Sequence, residues 1–137
     1  SACLAGEIPQ ALLDGNYDGA KQKALFYQSI FGRENFFIEL QDHGIEEQKK
    51  INPQLIRLAS EIGAELVVTN DSHYIDKKDS FTHSILLCIQ TNRTVNDVDR
   101  MEFQTSEFYL KTEEEMRALF PNLPQAYDNT QKNCRPL

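Results

Sequence analysis

Apolar and polar positions follow two rhythms along this chain, and each change of rhythm marks an element. "IPQALLDGN" reads as a short helix closed by Gly15. In "NYDGAKQKALFYQSIFG", Ala20, Ala24, Leu25, Tyr27, Ile30 and Phe31 recur at helical spacing, Asn16 or Asp18 stands where an N-cap belongs, and Gly32 supplies the stop. "NFFIEL" is an aromatic and β-branched run of strand length. "QDHGIEEQ" is polar and reads as a turn. The next helix is predicted over "NPQLIRLASEIG", with Asn52 as N-cap and Pro53 in its first position. Leu55, Ile56, Leu58, Ala59 and Ile62 form its apolar face, and Gly63 ends it. "AELVVTN" is the following strand. Residues 16–70 thus read helix, strand, helix, strand, and two strands joined by such a helix lie parallel under covering helices. The predicted fold class is α/β.

Beyond this unit, "DKKDSFTHSILLCIQT" predicts a helix with Phe81, Ile85, Leu86, Cys88 and Ile89 inward. "NRTVNDVDRMEFQTSE" is loop-rich, and "FYLK" is a brief strand. "TEEEMRALF" is a helix in which Thr112 and Glu115 form a capping box. Pro121 and Pro124 punctuate the end. There is no internal repeat or low-complexity segment.

The length of 137 residues suits one domain with a modest core. No run of apolar residues is long enough for a membrane span, and no signal-peptide pattern opens the chain. The opening "SACLAGE", without a methionine, reads as the end of an earlier element. The net charge is −7 and the pI about 4.9. A domain that grips nucleic acid unaided shows a basic face, because neutralising phosphates drives that binding. Any encounter with DNA must therefore be mediated by a metal or by a basic neighbouring domain. Three cysteines without regular spacing argue against a disulfide framework and for a reducing, cytoplasmic setting; without CxxC a zinc ribbon is excluded.

The chemistry concentrates in "ELVVTNDSHYI". Asp71 and His73 stand where the second strand stops, and strand ends are where α/β folds keep their sites. In an extended chain residues i and i+2 project the same way, so a carboxylate and an imidazole share one face and suit a divalent metal. The competing reading is an aspartate capping the turn beside an exposed histidine. Ser72 faces the other way in such a strand, which counts against a Ser-His-Asp triad.

Cys3 would be a good metal ligand as a thiolate, although taken alone a cysteine there reads first as a small core residue. Cys88 lies on the inward helix stripe and reads as core, and Cys134 carries no signal. Glu39, Asp42 and His43 cluster at the end of the first strand, as a pocket rim or as an Asx turn with a solvated histidine. His83 reads as a half-buried helix residue. Glu113, Glu114 and Glu115 suit a helix N-terminus. There is no phosphate-binding glycine loop.

Six blocks in order, "SACLAGEIPQ", "FFIELQDHGIEEQKKIN", "VVTNDSHYIDKKD", "HSILLCIQT", "FYLKTEEEM" and "LFPNLPQAYDNT", resemble the PHP (polymerase and histidinol phosphatase) domain of the bacterial DNA polymerase III alpha subunit. The closing "NCRPL" departs from it. The resemblance implies the C-terminal portion of a distorted (β/α)7 barrel, with residues 1–90 belonging to the PHP domain and 91–137 leading towards the polymerase core. It implies that Cys3, Asp71 and His73 are metal ligands for zinc, manganese or magnesium, in a site left partial because the family's opening His-x-His lies upstream. It assigns no role to Glu39, His43 or His83.

The implied activity is that of a DNA-directed DNA polymerase (nucleotidyltransferase) in DNA replication, whose PHP domain is a metal-dependent phosphoesterase, a 3′–5′ exonuclease or a scaffold remnant. The implied partners are the remaining PHP and polymerase domains, DNA through them, and a proofreading subunit, with no membrane. The alternatives are a non-catalytic interaction module and a free-standing phosphatase of small phosphomonoesters. A partial barrel is also expected to leave apolar strand edges exposed.

Overall fold

Two short strands define the frame of the computed structural model, which describes residues 3–133. β1 (Phe37–Leu40) and β2 (Glu65–Val68) pair in parallel, Phe37 opposite Glu65 and Leu40 opposite Val68. The connecting helix makes this a parallel α/β unit, as the alternating pattern predicts. Among the described residues the sheet has these two strands, so the fold class is shown and a closed barrel is not.

Helices α1 (Glu7–Leu13) and α2 (Tyr17–Phe31) precede β1. Asn16 caps α2, its Oδ1 accepting the Gly19 N–H at 2.9 Å. Gly32, at φ 85°, ends it. Small residues let α2 approach closely: Ala20 and Ala24 are buried, while Leu25, Phe26, Ile30 and Phe31 face outward, so only part of the expected stripe turns inward.

The helix between the strands differs most from expectation. α3 runs Glu46–Ile62, beginning six residues before Asn52, and Pro53 lies inside it. The stripe that drives it is Ile45, Gln48, Ile51, Asn52, Leu55, Leu58, Ala59 and Ile62, all buried. Gln48 and Asn52 are polar, so they hide the period from a hydrophobicity reading. Asn52 is a buried anchor and not a cap: its Nδ2 donates to the Gln41 carbonyl at 3.0 Å. Pro53 is tolerated because it sits on the exposed face, where water can satisfy the carbonyl that its missing N–H leaves unbonded. Gly63 closes α3 in the left-handed region at φ 63°.

Leu12, Leu40, Ile51 and Leu58, each at most 1% exposed, form the centre where α1, α3 and β1 meet. Full burial of such side chains stabilises by about 1.5–3 kcal/mol each before chain entropy is charged against it. α4 (Ser80–Thr91) buries Ser84, Leu87 and Cys88. Phe81, Leu86 and Ile89 are more than half exposed, which corrects the expected inward face. "FYLK" reduces to one parallel bridge, Tyr109 with Tyr74.

α5 (Glu113–Leu119) carries the capping box predicted for Thr112 and Glu115. A further helix, α6 (Pro124–Asn133), occupies the stretch read as a punctuated end; Pro124 is its first residue, where the missing N–H costs no helical bond. It buries Ala126 and Tyr127, and Asn129 Nδ2 donates to the Leu66 carbonyl at 2.9 Å. α6 therefore packs against β2. Cys134 lies outside the described residues. No helix among them is long and apolar enough to cross a membrane.

Candidate functional site

The carboxyl ends of β1 and β2 lead into one rim. Thr69 N–H continues the ladder to the Leu40 carbonyl at 3.1 Å. Its hydroxyl donates to Glu39 Oε1 at 2.5 Å and accepts from Gln41 Nε2 at 3.2 Å, so Glu39 is engaged across the strand pair. Asn70 follows, its Nδ2 donating to the Tyr109 carbonyl at 2.6 Å and to Ser72 Oγ at 3.2 Å. His73 N–H donates to the Phe108 carbonyl at 2.8 Å, and Leu110 N–H to the Tyr74 carbonyl at 3.0 Å. The segment after β2 is thus fastened to residues 108–110 by main-chain bonds.

This fastening brings Asp71 Oδ1 within 3.3 Å of His73 Nε2. The pairing expected from i, i+2 spacing is present, and both groups remain open, Asp71 half exposed and His73 about a third. Ser72 Oγ instead lies at the Tyr109 carbonyl, 3.4 Å away, so it takes no part with the pair.

The three histidines gather around two phenylalanines, a grouping that sequence spacing does not show. His73 meets the Phe103 ring edge-on at 4.8 Å, and His83 meets the same ring at 4.9 Å. His73 and His83 lie 5.4 Å apart, and Phe103 contacts Phe108 at 4.5 Å. His43 stacks on Phe108 at 4.1 Å with 9° between the planes. It is 1% exposed, which corrects the reading of a solvated histidine, although the Asx turn beside it is present: Asp42 Oδ1 accepts the Gly44 N–H at 2.8 Å. His83 is half-buried, as expected.

Burial pushes His43 below the ordinary imidazole range, and Lys111 adds to that; Gln48, Asp71 and Asn70 pull the other way. His83 is lowered by burial first and by His73 second. Both favour neutral rings beside the Asp71–His73 pair. Lys111 has its side chain almost fully covered, with Nζ 4.2 Å above the Tyr109 ring and 3.4 Å from Glu107. The Tyr109 hydroxyl donates to Glu115 at 2.7 Å, which pushes its pKa up to about 12.

A cleft of about 300 Å³ opens beside His83, lined also by Tyr74, Ser84, Arg100, Phe103 and Thr105. Arg100 is held by Glu102 at 2.9 Å. Cys88, 3% exposed, is the buried residue expected.

Asp71 and His73 fit two positions of a metal shell by donor type and separation. Cys3 is exposed in the turn before α1, where its carbonyl accepts the Gly6 N–H at 2.7 Å. Among the described residues no three His, Cys, Asp or Glu side chains are grouped to hold a metal ion. The described residues supply a donor pair and not a closed shell. Asn70, Phe103 and Phe108 were missed as parts of the site because their roles depend on contacts across long sequence separations, and Gln48 because a glutamine carries no signal that its amide is buried against His43.

The PHP domain family matches residues 1–43. Over 130 residues, 95% of its length, the chain is 49% identical to DNA polymerase III subunit alpha of Treponema pallidum (strain Nichols), of which it spans 11%. It is 45% identical over 133 residues to the Deinococcus radiodurans subunit, covering 95% of this chain and 10% of that one. To the Thermus aquaticus subunit it is 44% identical over 138 residues, 98% of this chain and 11% of that one. The chain spans about a tenth of the length of these relatives. By these matches the chain is homologous to one segment of the DNA polymerase III alpha subunits, with PHP-domain sequence over residues 1–43.

Proposed function

We propose that this chain is a segment of a replicative DNA polymerase subunit in which Asp71 and His73, with Cys3, contribute ligands to a divalent-metal phosphoesterase site. The observation that carries this reading is the carboxylate–imidazole pair, 3.3 Å apart at the carboxyl rim of a parallel strand pair, in a chain 49% identical to an alpha subunit. The remaining ligands come from sequence outside this stretch, in a distorted (β/α)7 barrel. Residues 1–90 form the end of the PHP domain and 91–137 the connection towards the polymerase core. Zinc, manganese or magnesium bound there would polarise a phosphate oxygen and activate water for 3′–5′ exonuclease chemistry.

This chain's own residues do the holding. The bonds from Asn70 and His73 to residues 108–109 keep the pair at the rim, and Phe103 and Phe108 screen one side of His73 from water. The setting is cytoplasmic, with DNA delivered by neighbouring domains and a proofreading subunit as a further partner. The second reading is a non-catalytic scaffold, in which the same main-chain bonds to residues 108–110 serve packing alone.

The test is the metal content of the chain and of its His73→Ala form after dialysis with zinc or manganese against a weak chelator. Metal retained by the parent sequence and lost in the variant supports the site. Equal contents assign the segment to the scaffold.

A further inference from the structure

We propose that His43 is a positioning residue: its Nε2–H, held in that tautomer by Gln48, orients Asn70 at the end of β2 and through it the Asp71–His73 pair. The purpose of the relay rests on the metal reading of that pair; its existence does not.

Gln48 determines the tautomer. Its Oε1 accepts the His43 backbone N–H at 2.8 Å, so the other end of the amide, Nε2, faces His43 Nδ1 at 3.0 Å. An amide nitrogen only donates, so Nδ1 is the acceptor and the ring proton resides on Nε2. A protonated Nε2 cannot itself ligate a metal, which separates His43 from the ligands. Stacking on Phe108 and near-complete burial leave the ring one orientation.

His43 Nε2 and Asn70 Oδ1 are both buried atoms without a hydrogen-bond partner. Asn70 Nδ2 is already committed to Tyr109 and Ser72, so the amide oxygen is the end left to face a donor. Both groups border the same segment: the His43 ring is stacked on Phe108, and Asn70 Nδ2 donates to the carbonyl of the next residue, Tyr109, which brings the ring and the end of β2 together. A buried donor and a buried acceptor each cost free energy until they are satisfied, and closing one on the other removes both costs. The donor also selects the amide orientation: with Oδ1 towards His43, Nδ2 must point at Tyr109, the bond that fastens the rim. Groups that hydrogen-bond a ligand directly alter metal affinity about 10–100-fold when removed, and a group acting one residue further back is expected at the lower end of that range.

The test is Gln48→Glu in this chain. A carboxylate accepts and does not donate, so it draws the proton to Nδ1 and turns Nε2 into an acceptor while leaving volume unchanged. Long-range ¹H–¹⁵N NMR reads the His43 tautomer, the Asn70 side-chain amide signals report its partner, and zinc titration reports the pair. The expected result is an Nε2–H ring in the parent sequence, with tautomer and Asn70 amide signals both changed in Gln48→Glu and zinc affinity about tenfold weaker.

His43→Gln, which retains a donor, is expected to keep the affinity that His43→Leu loses. An Nδ1–H ring in the parent, or Asn70 signals unmoved when the tautomer inverts, overturns the relay. Unchanged affinity with an inverted tautomer overturns the positioning role. If the parent binds no zinc at all, the metal reading fails, and the NMR signals alone decide the relay.

Discussion

The imidazole of His43 lies flat on the ring of Phe108, 4.1 Å between centroids and 9° between planes, joining the end of β1 to the segment that fastens the rim. Phe108 also touches Phe103 and the edge of His73, and is itself 8% exposed. Phe108→Ala removes the surface against which His43 is stacked. It is expected to destabilise the fold by about 3–5 kcal/mol, read from urea denaturation midpoints at constant slope. A loss below about 1 kcal/mol would show that the ring cluster is not part of the cooperative core.

Asn52 tests the length of α3. Its side chain satisfies the buried Gln41 carbonyl from inside the helix. Asn52→Ala leaves that acceptor unpaired and is expected to cost about 1–3 kcal/mol. Were Asn52 an N-cap, Asn52→Ser would preserve stability; as an anchor reaching the Gln41 carbonyl, Ser is too short and should lose nearly as much as Ala.

Gly63 joins α3 to β2 at φ 63°, and an added Cβ would also meet the Arg33 guanidinium. Gly63→Ala is expected to cost roughly 1–2 kcal/mol from the left-handed backbone alone. Displacing Arg33 from its 3.1 Å bond to the Gly63 carbonyl adds to that. Thermal denaturation of Gly63→Ala beside Gly63→Asn separates the two effects, since asparagine tolerates this backbone region better.

Stability should also fall as pH drops below 6.5, with His43 contributing to the loss. The groups facing it are Gln48 from α3, Lys111, and Asn70 and Asp71 after β2. Its folded value is depressed below the ordinary 6.5, so the unfolded chain takes up the proton first. The stabilisation is complete above pH 6.5 and is lost as pH falls through the lowered folded value. His83 acts in the same direction. Glu107, held below 4.5 chiefly by Lys77, adds a second loss at more acid pH. Urea titrations at successive pH values should show a shallower slope below neutrality in His43→Gln; an unchanged slope would remove His43 from the account.

The net charge of −7 predicts weak association of the chain by itself with single-stranded DNA. A mobility-shift assay at low salt should show little complex. Tight binding with a steep salt dependence would require a basic face that the composition does not provide.

The pattern of this chain determined its α/β class, the parallel strand pair, the cap at Thr112, the stop at Gly63 and the pairing of Asp71 with His73, while the choice of Asn16 over Asp18 as the cap of α2 was left to the structure. Each follows from local physics: helical or alternate spacing, cap chemistry, and the direction of side chains two residues apart. What the pattern did not show was which polar side chains are satisfied inside the core and what covers each apolar face. Gln48 and Asn52 occupy core positions because His43 and Gln41 satisfy them, so polarity concealed the first turns of α3. Phe81 and Ile89 carry a core-like period yet face outward, because a period states that one face is apolar and not what covers it. The gathering of three histidines around Phe103 and Phe108, and the relay from Gln48 towards Asn70, were decided only in the tertiary structure. Apart from the local Gln48–His43 and Phe103–Phe108 contacts, they join residues far apart in sequence, such as His43 and Phe108, and chain folding alone brings such residues into van der Waals range.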